Sequence, residues 1–279
     1  MAILPFGLRR KPVIVRTIHN REWSKRPLRR ILLTNFLYPL FFQTEIGVSQ
    51  SIANKLNQRP VARIMKKRAI CVHNAVALDS FTDVHIDPIK KRHELGLPRE
   101  GFVIGSVGRL TRQKGFSFLL DAAAIVLSEI PQARFVIVGD GEDAPAIHAQ
   151  ADRLGIQDRI LFTGPRTDVA ELLLTFDLFV SSSLWEGLPT VIMESMAAGI
   201  PVLATDIPGT RELAANQAIG WLVAPGNAKA LSDGILLALR DPSKRTACAH
   251  SAQLVVQSFS IQSVAVKHEN LYTQLVKNT

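Results

Sequence analysis

The sequence has few cysteines, few aromatic residues and no long uninterrupted apolar run. Its two cysteines, Cys71 and Cys248, are too few for a disulfide framework, which indicates a reducing or an indifferent compartment. The longest apolar stretch, Ile31 to Phe42, is interrupted by polar residues and a proline, and a membrane-spanning helix needs about 20 apolar residues. The opening residues, MAILPFGLRRKP, contain no apolar segment after their charges, so no secretory signal peptide is expected.

Acidic residues are scarce in the first 100 positions, which hold 7 Asp and Glu against 19 Lys and Arg. The remaining residues hold 17 acidic and 14 basic side chains, so the two parts have opposite charge balances. This asymmetry indicates two domains or two tasks. A basic half attracts nucleic acid, anionic lipid or acidic substrate, and charge alone does not choose among them.

What the sequence does contain is enough apolar material for a folded core. The 279 residues are 47% hydrophobic, which excludes a disordered or fibrous chain and allows one large domain or two smaller ones. Neither an internal repeat nor a low-complexity tract interrupts the sequence.

From residue 100 onward, short apolar runs alternate with segments of helical periodicity. Near-continuous apolar runs such as FVIGSV are typical of parallel strands covered on both faces. The pattern predicts a doubly wound parallel sheet, with helices near 116–129, 143–154, 168–175, 189–198, 209–215 and 228–240. The expected strands are Phe102–Val107, Arg134–Val138, Ile160–Phe162, Leu178–Ser181, Pro201–Ala204 and Gly220–Val223.

Residues 1–88 are too few for a complete α/β domain of typical size. They predict the closing part of such a domain, with helices near 27–42 and 51–58 and a linker near Asp87–Gly101. The expected strands are Val13–Arg16, Glu45–Ser49 and Arg68–Val72.

The first cluster of residues that could form a functional site is GRLTRQKG, which follows a predicted buried strand. Gly108 allows a tight turn, and Arg109 and Lys114 place two cations beside the start of a helix. Cations at a helix N-terminus favour phosphate binding. The alternative is a solvated basic loop, and in isolation the two interpretations are equally good.

The second cluster is VGDGE, again at a predicted strand end. Gly139 and Gly141 permit close approach of the backbone to a ligand. Alone, such a sequence is more often a simple turn.

The third cluster, EGLPT, leads into a predicted helix. Pro189 suits the first helical turn. Backbone N–H groups at the helix start, those of Leu188, Thr190 and Val191, are expected to be unpaired and to face a pyrophosphate.

Two glutamates flank this helix start. Glu194 lies about 6–8 Å further along the axis than the helix entry, which suits contact with a ribose diol, and Glu186 precedes the entry. In the alternative interpretation neither glutamate contacts a ligand: Glu186 offsets the helix dipole and Glu194 lies on a solvated face of the helix. The adjoining GLP entry and AAGIPV strand disfavour it.

Together, GRLTRQKG, VGDGE and EGLPTVIMESMAAGIPVLATDIPG resemble the donor domain of retaining glycosyltransferases of the GT-B fold, family 4 (group 1), from about Phe102 to Leu237. The resemblance implies that Arg109 and Lys114 bind the diphosphate of a nucleotide sugar. It implies that Glu194 binds the ribose hydroxyls and that Glu186 lies near the donor sugar. It also implies no metal and no other cofactor, because cations and the helix N-terminus stabilise the leaving phosphate.

The first half resembles the end of the family's acceptor domain. Thr17-Ile18-His19-Asn20 is similar to the strand end whose histidine approaches the donor sugar, although a lone histidine is more often structural. The resemblance implies a GT-B-like α/β fold with an N-terminally incomplete acceptor domain over 1–88. The donor domain is expected over 89–258, and a C-terminal helix over 259–279 is expected to cross back toward the first domain. The family's usual glycine pair is changed to Pro208-Gly209.

The resulting expectation is a glycosyltransferase acting on a glycan or lipid-linked acceptor in cell-envelope polysaccharide or lipopolysaccharide biosynthesis. The alternative is a truncated, non-catalytic module that binds nucleotide sugars. A cytoplasmic location is expected, with peripheral contact to an anionic membrane through the basic, apolar segment Lys25–Phe42. A buried helix with a solvated basic end explains that segment equally well. No nucleic-acid partner is expected.

Overall fold

A computed structural model describes residues 13–19, 32–215 and 218–277. The chain divides into two compact units. The small unit comprises the described residues up to Ala75 together with those from Ser258 onward, and the large unit comprises the described residues of Val76–Gln257. The domain boundaries expected from the sequence remain a prediction.

The small unit contains a parallel sheet in the order β1-β2-β3. Its strands are β1 (Val15–Ile18), β2 (Thr44–Gly47) and β3 (Ile70–Cys71). The predicted strands are therefore present, although β1 starts later than expected and β3 spans only two residues. The predicted helix near 27–42 is described from Leu32 onward, and its earlier part lies outside the described residues.

Helices of the small unit include a π-helical turn (Leu33–Leu37), α1 (Tyr38–Phe41), α2 (Gln50–Asn57) and α3 (Pro60–Ile64). Ser49 caps α2 by accepting a hydrogen bond from the Ile52 N–H, and this interaction fixes where the helix begins.

The large unit contains six parallel strands in the order β6-β5-β4-β7-β8-β9. They are β4 (Val103–Val107), β5 (Arg134–Val138), β6 (Ile160–Gly164), β7 (Leu178–Ser181), β8 (Val202–Thr205) and β9 (Trp221–Val223). The predicted doubly wound parallel sheet is confirmed, and its central strands are buried on both faces. This sheet type binds ligands at the carboxyl ends of its strands.

Helices connect the strands of the large unit in the alternating pattern that the sequence predicts. They are α4 (Asp79–Thr82), α5 (Pro88–Glu94), α6 (Phe116–Glu129), α7 (Ala144–Arg153), α8 (Val169–Leu173), α9 (Thr190–Ala197), α10 (Pro208–Arg211), α11 (Ala228–Arg240) and α12 (Pro242–Val256). Helices α6 and α11 pack against each other. Among the described residues, none of the helices combines the length and the apolar character that crossing a bilayer requires.

The last helix, α13 (Ile261–Lys277), belongs to the small unit. Its Val264 and Leu271 form a buried apolar cluster with Ile46 of β2 and with Val72, which directly follows β3. The end of the chain therefore supplies part of the core of the unit that holds the first strands.

Charged side chains fix α5 within the large unit, in the segment expected to be a linker. Lys91 Nζ lies 2.9 Å from a carboxylate oxygen of Asp168 and 2.5 Å from one of Glu171. Arg166 donates two hydrogen bonds to Asp168, at 2.8 and 2.7 Å. The Arg166 guanidinium, followed by the Lys91 ammonium, holds the pKa of Asp168 far below its usual range.

This network predicts an acid-sensitive contribution to stability. Because the folded pKa of Asp168 is depressed, the stabilisation is present above the unfolded pKa of about 4 and is lost as pH falls toward the folded pKa. We expect Asp168→Asn to lower the free energy of unfolding by about 1–2 kcal/mol at pH 7. Urea titrations between pH 7 and pH 3 should show the difference shrinking below pH 4, and a constant difference would contradict this assignment.

Candidate functional site

Polar loops from three neighbouring strands meet at one edge of the large sheet. Strands β5, β4 and β7 lie side by side and run parallel, so their carboxyl ends share an edge. The loops that follow them contain the three clusters singled out in the sequence: residues 108–115, 139–143 and 182–189.

The first two loops are hydrogen-bonded to each other along their backbones. The Leu110 N–H donates to the Asp140 carbonyl at 3.0 Å, and the Asp143 N–H donates to the Leu110 carbonyl at 2.9 Å. A Cβ on Gly141 would lie 2.3 Å from the Leu110 carbonyl oxygen, and one on Gly139, where φ is +131°, would lie 2.1 Å from that of Gly108. The loop contact alone therefore requires both glycines, and their predicted approach to a ligand remains a prediction.

Lys114 and Glu186 join the first loop to the third. Lys114 Nζ lies 2.5 Å from Glu186 Oε1, and the Glu186 side chain keeps only 9% of its surface exposed. The Lys114 chain lies over Gly108, since a Cβ at that glycine would be 3.3 Å from Lys114 Cε. The sequence predicted both residues for the site, and the structure brings them into direct contact.

Two further residues hold Glu186 and were missed at the level of the sequence. Gln113 Nε2 donates to Glu186 Oε2 at 3.0 Å, and the Ser183 hydroxyl donates to Oε1 at 3.1 Å. Gln113 lies within the GRLTRQKG cluster, but nothing in the sequence separates an inward-facing glutamine from a solvated one. The consecutive serines 181–183 at the end of β7 were the available signal, because buried hydroxyl groups need partners.

The two loops that carry these side chains are fixed to each other. The Leu184 N–H donates to the Gln113 carbonyl and the Ser182 hydroxyl donates to the Lys114 carbonyl, both at 2.8 Å. Gly115, at φ +64°, leaves no space for a side chain because its Cβ would lie 2.3 Å from the Ser182 carbonyl oxygen. The two loops are therefore fixed to each other by these contacts, independently of the Lys114–Glu186 ion pair.

Helix α9 begins directly after the third loop. Pro189 occupies the N-cap position, one residue before the first helical residue, Thr190, and no described side chain caps this end. Leu188 and Pro189 are buried, whereas Thr190 is exposed. A helix start without a side-chain cap presents backbone N–H groups and the positive end of the helix dipole.

Glu194 lies in the second turn of α9. Burial raises the pKa of its carboxyl, and the positive charge of Lys114 acts in the opposite direction. The effect of Lys114 on Glu194 places the two groups within electrostatic range of each other. Glu194 is half-buried, and a partly desolvated carboxylate is costly for a fold, so its role in the site remains a prediction that this position favours.

The remaining predicted site residues differ in their surroundings. Arg109 is exposed and follows Gly108 directly, and its guanidinium forms no ion pair within the described part of the chain. His19 is exposed and follows β1 in the small unit, and its predicted approach to the donor sugar remains a prediction.

This edge of the sheet combines two cations, a helix N-terminus and two carboxylates. Cations and backbone N–H groups bind polyanions such as a diphosphate. Carboxylates accept hydrogen bonds from hydroxyl groups, which a ribose and a sugar both supply. The arrangement suits a ligand that carries phosphates between two hydroxyl-rich ends.

Comparison with known proteins gives related sequences that include glycosyltransferases. The chain is 29% identical over 237 residues to UDP-Gal:alpha-D-GlcNAc-diphosphoundecaprenol alpha-1,3-galactosyltransferase from Escherichia coli, covering 76% of this chain and 61% of that enzyme. It is 32% identical over 186 residues to the lipopolysaccharide core biosynthesis glycosyltransferase LpsE of Rhizobium meliloti, covering 66% of this chain and 52% of LpsE. The chain thus spans roughly half to three fifths of the length of these relatives.

Solved structures show the same fold. Anabaena Alr3699/HepE in complex with UDP-glucose is 29% identical with a TM-score of 0.80, covering 93% of this chain and 72% of HepE. The C-terminal domain of a group 1 glycosyl transferase (LpcC) from Francisella tularensis, 22% identical with a TM-score of 0.60, covers 67% of this chain and 99% of its own, and supports the fold alone. The fold is that of the Rossmann-like GT-B glycosyltransferases, as predicted. Since the family of glycosyl transferases group 1 matches residues 87–255, the range that contains every polar group described at this edge of the large sheet, the chain belongs to that family.

Proposed function

We propose that the protein is a retaining glycosyltransferase that uses a nucleotide-diphosphate sugar as donor. Its acceptor is a glycan or a lipid-linked glycan, in cell-envelope polysaccharide or lipopolysaccharide biosynthesis. The observation that carries the proposal is the Lys114–Glu186 ion pair beside the start of α9, with Glu194 within the field of Lys114. The named activities of the E. coli enzyme and of LpsE support the acceptor class, and the UDP-glucose complex of HepE supports the donor class.

The donor's groups match the site's groups. Lys114, Arg109 and the backbone N–H groups of Leu188, Thr190 and Val191 bind the diphosphate, and Pro189 lies beside it at the start of α9. Glu194, one turn further into the helix, accepts hydrogen bonds from the ribose hydroxyls. Glu186 accepts hydrogen bonds from hydroxyl groups of the donor sugar, and Gly139 and Gly141 let the nucleotide approach the backbone of their loop.

The chemistry then follows from charge. The bond between the anomeric carbon and the phosphate oxygen breaks, and negative charge develops on the leaving diphosphate. Lys114, Arg109 and the helix start stabilise that charge. The acceptor hydroxyl forms the new bond on the same face of the sugar, and its proton passes to the leaving phosphate oxygen. His19 approaches the donor sugar, and no protein nucleophile is required.

Calorimetric titration with UDP, GDP and ADP tests the donor site first. Binding of one nucleotide, followed by transfer of its labelled sugar to glycan or polyprenyl-linked acceptors, supports the proposal. Binding without turnover for any acceptor supports the alternative, a non-catalytic nucleotide-sugar module. That alternative draws on the position of the donor-site ion pair and of Glu194 within the large unit alone. A cooperatively folded protein that binds none of the three nucleotides would contradict both.

We also propose that the reaction needs no metal, since Lys114, Arg109 and the start of α9 supply the positive charge that a divalent ion supplies in other transferases. Donor turnover with excess EDTA is therefore expected to stay within about twofold of turnover in Mg²⁺. The measurement is release of nucleoside diphosphate under both conditions, after dialysis against chelator. A tenfold loss that Mg²⁺ or Mn²⁺ restores would overturn this part of the proposal.

We propose a cytoplasmic location with peripheral contact to an anionic membrane. The π-helical turn, α1 and α3 pack together in the small unit, and they expose a set of large apolar side chains: Leu32, Phe36, Leu37, Leu40, Phe41, Ile64 and Met65. Arg63, Lys66 and Arg68 are exposed in the same stretch as Ile64. Apolar side chains flanked by cations favour an anionic lipid surface. The basic residues of Lys25–Arg30, part of the same prediction, lie outside the described residues.

Co-sedimentation with vesicles tests this contact. We expect binding to vesicles of phosphatidylglycerol and phosphatidylcholine, and at least about fivefold weaker binding to phosphatidylcholine alone, because each cation near the anionic surface contributes about 1 kcal/mol. Phe41→Ser with Ile64→Ser should weaken binding, since both side chains are more than 60% exposed. Leu237→Ser, at a residue of α11 that is 56% exposed in the large unit, is the control. Equal binding by all three proteins would contradict the assignment.

A further inference from the structure

Gln113 contacts Glu186 at an oxygen that the lysine does not occupy. Lys114 Nζ and the Ser183 hydroxyl both lie against Oε1, whereas Gln113 Nε2 donates a hydrogen bond to Oε2, at 3.0 Å. The carboxylate is therefore fixed at both oxygens. Fixing both oxygens sets the plane and direction of the group, which a single ion pair does not.

The backbone around Gln113 gives this contact a defined geometry. The Gln113 carbonyl accepts the Leu184 N–H at 2.8 Å, and the side chain is only partly exposed. On the other side, the buried Ser183 has a carbonyl that accepts the Thr205 hydroxyl at 2.5 Å. The backbones of Gln113 and Ser183, the two neutral donors, are thus held by hydrogen bonds of their own, and neither residue has to move to bind Glu186.

Under the proposed function, Lys114 interacts with two anions, the Glu186 carboxylate and the diphosphate of the donor. When its ammonium bonds the donor's diphosphate, Glu186 Oε1 loses its closest partner, the one at 2.5 Å. Gln113 and Ser183 carry no charge, so a dianionic phosphate attracts them far less than it attracts the lysine. They remain with Glu186 when Lys114 turns away.

We propose that Gln113 is a positioning residue, which keeps the Glu186 carboxylate directed at the donor sugar while Lys114 holds the diphosphate. The proposal rests on the proposed function, since it needs a donor with both phosphates and a sugar. It assigns Gln113 to recognition of the sugar and not to recognition of the nucleotide. The two contributions can be separated because a nucleoside diphosphate has the phosphates and lacks the sugar.

The test compares affinities for UDP and UDP-glucose by calorimetry, with GDP and GDP-mannose and with ADP and ADP-glucose as further pairs. Gln113→Met keeps the length of the side chain and removes the donor. We expect it to leave UDP affinity within about twofold and to weaken UDP-glucose about tenfold, the equivalent of one hydrogen bond to a charged group. Gln113→Glu should weaken the sugar nucleotide further, because it places a second carboxylate about 3 Å from the first.

Gln150→Met is the matched control. Gln150 Nε2 also donates to a carboxylate, that of Asp121, at 2.7 Å, but on the exposed face of α6 and α7. It should change neither affinity. Ser183→Ala, which removes the other neutral donor, should reproduce the separation between UDP and UDP-glucose, and melting curves should confirm that each variant is folded.

The outcomes distinguish this inference from the proposed function. If the wild-type protein binds none of the nucleotides, the proposed function fails and the inference fails with it. If the wild type binds a nucleotide and its sugar nucleotide, but Gln113→Met loses both affinities equally or neither, only the role of Gln113 is overturned. Selective loss for the sugar nucleotide supports it.

Discussion

Replacing Lys114 with methionine is expected to weaken binding of a nucleoside diphosphate by at least about 100-fold. The ammonium is the cation most firmly placed at the site, and a charge-assisted hydrogen bond to phosphate together with its Coulomb attraction supplies about 3 kcal/mol. Methionine keeps the aliphatic chain over Gly108, so packing of the loop is preserved. Calorimetric titration with the nucleotide that the wild-type protein binds measures the loss.

The same substitution has a second effect, on stability. Glu186, whose side chain is 9% exposed, would keep its charge without its closest partner, at a cost of about 2 kcal/mol. Adding Glu186→Gln should recover most of that stability in urea titrations without recovering nucleotide binding. Lys229→Met, which breaks an exposed ion pair with Asp233, is the control and should change neither quantity. Recovery of binding in the double variant would show that the lysine acts through the fold alone.

Glu194→Gln is expected to weaken nucleotide binding about 30- to 100-fold and, at the same time, to stabilise the free protein. The first effect follows because a carboxylate can accept hydrogen bonds from both hydroxyl groups of a ribose, whereas the amide has one acceptor oxygen. The second follows because burial raises the pKa of Glu194, so the charged form is unfavourable in the folded state and removing it relieves that cost.

The ribose contact can be tested with one altered ligand. In the wild type, 2′-deoxyUDP should bind at least about tenfold more weakly than UDP, whereas in Glu194→Gln the two should differ much less. Glu129→Gln, at an exposed ion pair with Arg240, serves as the control. An undiminished preference for UDP in the variant would remove Glu194 from the ribose site.

The stability effect has a defined pH dependence. A carboxyl group whose folded pKa is raised makes the folded state bind more protons than the unfolded state, so its cost to stability is absent at low pH and grows as pH rises through the unfolded pKa and then the folded pKa. Glu194→Gln should therefore be more stable than wild type at pH 7 and indistinguishable from it below about pH 4. The urea titrations described for Asp168→Asn also measure this effect. At pH 7 the Asp168 variant should be less stable than wild type and the Glu194 variant more stable, and both differences should shrink as pH falls.

The sequence predicts the large sheet well because its strands are buried on both faces. Runs such as Arg134–Val138 and Leu178–Ser181 have the predicted bounds, since an apolar run ends where the chain leaves the core. The strands of the small unit were less well bounded. Strand β3 is only two residues long, and one of its residues, Ile70, is 38% exposed, so apolar character does not mark its limits.

Side-chain direction was harder to predict than position. Lys114, Glu186 and Glu194 were singled out because their spacing follows a family pattern. The contact between Lys114 and Glu186 depends on two loops that are distant in the chain. Gln113 and Ser183 were missed because glutamine and serine side chains are as common on solvent-exposed surfaces as in binding sites, so the residue type alone does not indicate a site. Helix α5 was missed because a short basic segment between domains is typical of a linker, and only its ion partners 77 to 85 positions away make it a fixed element.

The backbone contact between the loops after β4 and β5 has a consequence for tracing this protein's ancestry. Gly139 and Gly141 are required there because carbonyl oxygens of the neighbouring loop occupy the space of a side chain. A descendant that had lost its ligand would still need both glycines to fold, whereas it would be free to replace Arg109 or Glu194. Among relatives, retention of the two glycines therefore indicates only a shared fold. Relatives that have lost the ligand are to be recognised by replacement of charged residues such as Arg109 and Glu194.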